Sequence, residues 1–103
     1  MGLYRTDYIV CGWKLPKEIE GFDYWDDKNL PYVEGHKGVE YTIVLDDDYL
    51  VFGKLIAISS EWNFNVLNFD NLNTEEIKEK YREIFNVDGG VSEPYVFIFS
   101  HYS

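Results

Sequence analysis

The sequence predicts an α+β fold: a mainly antiparallel sheet of four or five strands, with one principal helix at about residues 74–86 packed on one face. Three stretches carry that prediction. Residues 39–59 read VEYTIVLDDDYLVFGKLIAIS, two apolar runs folded back on each other at Asp46-Asp47-Asp48. Residues 73–86 repeat apolar side chains at helical spacing, and residues 95–99, YVFIF, are aromatic or β-branched throughout.

Taken in order, residues 4–13 read as a first strand with Tyr8 and Val10 on one face and Ile9 and Cys11 on the other, ending at Gly12-Trp13. Pro16 is placed to open a short helical turn through Lys17, Glu18, Ile19 and Glu20 before Gly21 stops it. Residues 22–38, FDYWDDKNLPYVEGHKG, crowd Phe22, Tyr24, Trp25 and Tyr32 among Asp23, Asp26, Asp27 and Glu34. That stretch is too aromatic for a flexible linker and reads as a long ordered loop with room for one helical turn.

In the central hairpin, Val39, Tyr41, Ile43 and Leu45 alternate with Glu40, Thr42 and Val44, as a half-buried strand requires. The second strand is apolar on both sides, with Leu50, Phe52, Ile56 and Ile58 against Tyr49, Val51, Leu55 and Ala57, which predicts an interior position. Gly53 marks a bulge or a close backbone approach. Residues 61–68 alternate again, Trp62, Phe64 and Val66 against Asn63, Asn65 and Leu67, and predict a fourth strand or an extended approach to the helix.

Asn73 is the expected N-cap, with Glu76 reaching back to it and Leu72 and Ile77 forming a hydrophobic staple. Ile77, Tyr81, Ile84 and Phe85 make one apolar face, Glu76 and Lys80 stand one turn apart, and the helix should stop near Asn86.

At 103 residues the chain is expected to form one domain, residues 1–103. No apolar run approaches the roughly 18–20 residues of a membrane span, and MGLYRTDY lacks the apolar segment of a signal peptide, so a soluble, cytoplasmic protein is expected. Cys11 is the sole cysteine, which leaves no internal disulfide; among Tyr8, Ile9, Val10 and Trp13 it reads as a small buried strand residue.

Charge is the more informative property. Nineteen acids oppose nine bases, and between Gly38 and Ile77 eight acids face Lys54 alone. Direct binding of nucleic acid or of an anionic membrane needs clustered Lys and Arg and is disfavoured. A protein partner with a basic surface is favoured. Carboxylates along a strand recur every ~7 Å, close to the phosphate spacing of one nucleic-acid strand, so an acidic face can occupy a basic groove.

No nucleophile elbow, phosphate loop or zinc signature is present, and no enzyme activity or cofactor is predicted. Asp46-Asp47-Asp48 lacks the glycine and glutamate of a calcium loop and reads as a solvated turn, so no metal is predicted. Nineteen aromatic residues, three Trp, nine Tyr and seven Phe, are more than a core of this size buries completely. Tyr41, Phe52, Tyr81, Phe85, Phe97 and Phe99 suit a core. Asp23, Tyr24, Trp25, Asp26 and Asp27 instead suit an acidic contact surface, with Asp46, Asp47 and Asp48 as its second edge.

The opening YRTDYIVCGWKL, with Tyr4-Arg5-Thr6-Asp7-Tyr8 its most suggestive part, resembles the start of small accessory proteins encoded by tailed bacteriophages. The resemblance covers about a dozen residues and transfers no functional residue. It implies a phage product in the bacterial cytoplasm that binds and inhibits a host enzyme or defence protein. Two other classes stay open from sequence: a homo-oligomeric structural or assembly protein, and a small-molecule binder with an aromatic pocket.

Overall fold

A computed structural model describes residues 5–19, 22–33, 40–46, 48–60, 64–66 and 73–102, with backbone alone at 60 and 64–66. Five strands and one helix follow in the order β1 (Arg5–Pro16), β2 (Tyr41–Leu45), β3 (Tyr49–Ser60), β4 (Phe64–Val66), α1 (Thr74–Phe85) and β5 (Tyr95–Tyr102). The strands form one sheet, antiparallel at every strand pair, in the order β2-β3-β1-β5 with β4 beside the second half of β3. With α1 on one face, the chain is an α+β protein.

The first strand does not end at Gly12-Trp13 but runs on to Pro16, because Gly12 faces Gly53 across the β1–β3 pair and the two backbones close in there. A Cβ on Gly12 would lie 2.0 Å from the Phe52 carbonyl oxygen, and one on Gly53 would lie 2.7 Å from that of Cys11. Glycine is needed at both positions for want of space, not for its dihedral freedom. Pro16 therefore closes a strand, and residues 17–19 are not helical. Gly53 marks the close approach, and the bulge lies further on: the register passes from Ile9 opposite Ala57 to Val10 opposite Leu55, leaving Ile56 as the extra residue. The bulge resets the alternation, so Ala57 shares the side of Phe52 and Ile56, whereas Ile58 joins Leu55.

These two devices in the long central strands curl the sheet. Its opposite edges, β2 and β5, meet at one corner, where Asp46 Oδ2 lies 3.8 Å from His101 Nδ1. The inside of the curl holds Tyr8, Val10, Val44, Val51, Leu55 and Ile58, joined by Phe97 and Phe99. The outside holds Cys11, Trp13, Tyr41, Ile43, Leu50 and Phe52 under Ile77, Ile84 and Phe85 of the helix. There the rings of Tyr41, Phe52 and Trp13 lie nearly parallel across three strands, at 5.9 and 6.1 Å, with Tyr81 and Phe85 tilted onto Phe52. Fully burying a side chain such as Phe52 contributes about 1.5–3 kcal/mol, so this stack is a main source of stability.

The helix forms as its sequence directs at the cap and the apolar face. Asn73 Oδ1 accepts the Glu76 N–H at 3.2 Å, and Asn86 ends the helix in the left-handed region at φ 56°. Two expected pairings are replaced. Glu76 Oε1 accepts from the Tyr41 hydroxyl at 3.4 Å, and Lys80 Nζ sits over the rings of Tyr32 and Tyr41 at 4.9 and 5.9 Å. Docking on β2 brings this flank of the helix against aromatic rings, a partner that helical spacing does not reveal. Leu72, Val39 and the ends of the 61–68 stretch lie outside the described residues.

Candidate functional site

Residues 22–33 form a chain of turns and not a floppy loop. The Asp23 carboxylate accepts the Trp25 N–H at 2.9 Å, and the Asp26 carboxylate accepts the Lys28 N–H at 3.1 Å, two successive turns closed by a short acidic side chain. Backbone bonds from Asp26 N–H to Asp23 O, Asn29 N–H to Asp26 O and Tyr32 N–H to Asn29 O run beneath them into a 3-10 turn at Leu30–Tyr32. Asn29 is the rivet. It is 1% exposed, and its Nδ2 donates to the Asp23 carbonyl at 2.7 Å.

The loop is fastened to the core from below. Phe22 stacks on Phe85 at 4.5 Å, Tyr24 and Tyr32 pack half-buried against the outer core, and Val33 bridges to Ile43 of β2. Above these anchors Trp25 stands 70% exposed, its ring edge-on to Tyr24 at 4.9 Å, with Asp26, Asp27 and Leu30 exposed beside it. Of the expected contact residues, Asp23, Tyr24, Trp25, Asp26 and Asp27 are thus brought together on one rigid projection, Tyr24 as the support of Trp25.

Charge compensation differs between the loop and the helix. On α1, Lys78 pairs with Glu75 and Glu93, Arg82 with Glu79 at 2.7 Å and Lys80 with Glu83 at 3.8 Å. Among the described residues no ion pair holds Asp23, Asp26 or Asp27, so their charge is directed into solvent.

Asp46 lies at the corner where the end of β2 meets His101 and Tyr102 of β5. Asp46 is half-buried and turned toward His101, Asp48 is exposed, and Asp47 lies outside the described residues. Burial first, then the carboxylates of Asp46 and Asp48, raise the Tyr49 phenol above its ordinary value. Among the described residues no three His, Cys, Asp or Glu side chains gather as a metal ion would need, and no helix is long and apolar enough to cross a membrane.

No family model, curated protein or solved structure matches the chain.

Cys11 is buried in β1, and burial pushes its thiol up, with the nearby Lys54 charge partly offsetting this. Lys54 is itself 4% exposed in the outer core, opposite Cys11 and Tyr41. Two features were absent from the sequence reading: the contact of Asp46 with His101, and the exposure of Tyr95, Val96, Ile98 and Tyr102 on β5. The first joins residues 55 positions apart and has no local signal. The second depends on β5 being an edge strand, which its composition does not disclose.

Proposed function

We propose that the chain is a non-enzymatic protein-binding module that uses the loop at Asp23–Asp27 to dock on the basic surface of another protein. It acts as an inhibitor or modulator of a nucleic-acid-handling or defence protein in the bacterial cytoplasm. The observation that carries this reading is Trp25, 70% exposed on a loop whose backbone is locked by Asp23, Asp26 and Asn29. A large rigid aromatic side chain loses little conformational freedom on binding, which is the economy of an interface hot spot. The surrounding carboxylates, which hold no ion pair among the described residues, add steering toward a basic partner. Asp48 extends the acidic surface at a second edge, whereas Asp46 is engaged by His101. The resemblance of the first dozen residues to phage accessory proteins agrees with a host target.

The test is capture from bacterial lysate at low and then raised salt, with mass spectrometry of the retained protein. One nucleic-acid-handling or defence protein is expected, released by salt and competed by DNA or RNA where the target binds them. The variant Asp27→Lys, which reverses a loop charge and leaves the turn-closing carboxylates of Asp23 and Asp26 in place, should keep its far-UV circular dichroism and lose most of that capture. Undiminished capture by the variant would refute the placement of the site, and recovery of the bait alone would refute the reading.

A further inference from the structure

The β5 edge serves no part of that reading. Tyr95–Tyr102 contains no Lys, Arg, Asp or Glu, pairs with β1 without a bulge, and is eight residues long. The usual guards of a free strand edge, a lysine, a proline, a bulge or shortness, are therefore missing. Val96 and Ile98 are 56% and 67% exposed on the outer face, and an open hollow of about 110 Å³ beside Ile98 is lined by Ile9, Ala57 and Ser59. At the far end Leu45 and Asp46 reach His101 and Tyr102, so among the described residues 95–100 are the open run.

We infer that β5 pairs with the β5 of a second copy of this chain, antiparallel about a two-fold axis, joining two sheets into one. Charge selects this occupant. Each copy carries −10, and self-apposition of the Asp23–Asp27 loop, whose carboxylates hold no ion pair among the described residues, would set carboxylate against carboxylate. The uncharged β5 brings two copies together without that penalty, and a basic partner gains nothing electrostatic from it.

Geometry then fixes the register. A two-fold axis perpendicular to the sheet keeps each face on its own side, so same-face residues must oppose and the axis passes through a single residue. With the axis at Phe97, Phe97 meets Phe97 of the partner copy, Val96 meets Ile98, and Tyr95 meets Phe99. An axis at Ile98 would instead set Val96 against Ser100, and one at Phe99 would set Ile98 against Ser100 and Phe97 against His101. The apolar match favours Phe97. A paired run of five residues, about 17 Å long, buries well under the ~800 Å² per partner of a standard interface, so the dimer is weak, with a Kd on the order of 0.1 mM.

Sedimentation equilibrium of the full chain from about 10 µM to about 1 mM, at about 50 and about 500 mM NaCl, tests this. A dimer is expected whose Kd falls several-fold at high salt, because salt screens the repulsion between two acidic copies. Ile98→Lys should weaken it more than about tenfold. Val96→Lys, at a second exposed position, should do the same, each with an unchanged circular dichroism spectrum. A monomer under all conditions, or a dimer that neither variant weakens, overturns the proposal. So does association that falls with salt. Capture of a basic partner through the loop weakens with salt, so failure of one reading is distinguishable from failure of the other.

Discussion

Strand β2 has five residues and buries all but Leu45, whereas β5 at the opposite edge has eight and leaves Tyr95, Val96, Ile98 and Tyr102 about half exposed or more. Both are apolar runs at the rim of one sheet, so the difference lies in what covers them. Val33 pairs beside Ile43, Thr42 Oγ1 donates to the Tyr32 carbonyl at 3.4 Å, and Lys80 of the helix lies over Tyr32 and Tyr41. The covering of β2 is thus the underside of the loop that presents Trp25. One segment closes an edge and carries the proposed contact surface, and the locked turns at Asp23 and Asp26 serve both. At β5 no such segment is present among the described residues.

The largest expected effect is a change that removes both edges together. Gly12→Val drives a side chain into the Phe52 carbonyl, which is backbone and cannot yield, where β1 and β3 cross most closely. A loss above about 4 kcal/mol, or failure to fold, is expected by urea denaturation. A loss below about 1 kcal/mol would show that the two strands do not approach in this way and would undo the account of the curl.

A matched pair of truncations sharpens the comparison. Ile43→Ala in β2 removes a fully buried side chain packed in the outer core with Phe52 and should lose about 2–5 kcal/mol. Ile98→Ala in β5, the same chemical change, should stay within about 0.5 kcal/mol for the monomer at low protein concentration. Equal losses would mean that the edges are equally covered.

How legible this was from sequence follows the range of the interactions. The helix cap at Asn73, the apolar face from Ile77 to Phe85 and the interior position of β3 rest on local pattern, and the structure has them. The end of β1 was misplaced because Gly12 is explained only by its partner Gly53, 41 residues away. The face of Ile58 was misassigned because the bulge at Ile56 is set by pairing with β1, not by the alternation of β3. For the candidate site, composition located the acidic aromatic loop. It did not separate Trp25, which is exposed, from Phe22 and Tyr32, which anchor the loop, because all three are aromatics beside carboxylates. The open face of β5 was missed for a related reason: YVFIF reads the same at the centre of a sheet as at its edge.

The smallest expected effect concerns how the open edge is held to the rest of the sheet. Asp7 on β1 accepts from the Ser100 hydroxyl of β5 at 2.5 Å and from Arg5 Nε at 2.8 Å. The Ser100 hydrogen bond first, then that of Arg5, hold the Asp7 carboxyl below its ordinary value near 3.9. A group depressed in the folded state is protonated first in the unfolded chain. Its contribution to stability is therefore complete above roughly pH 5 and is lost as pH falls through the folded value. Asp7→Asn, which keeps the shape and removes the titration, should flatten this part of the acid limb of stability against pH by lowering the neutral-pH value and leaving the acid value nearly unchanged. The edge comparison predicts where the loosening appears. Amide exchange in the acid range should rise along β5 while β2, whose fastening involves neither Asp7 nor Ser100, keeps its protection. Equal loosening of both edges would mean that the curl at Asp46 and His101, and not the β1–β5 pair, governs the acid response.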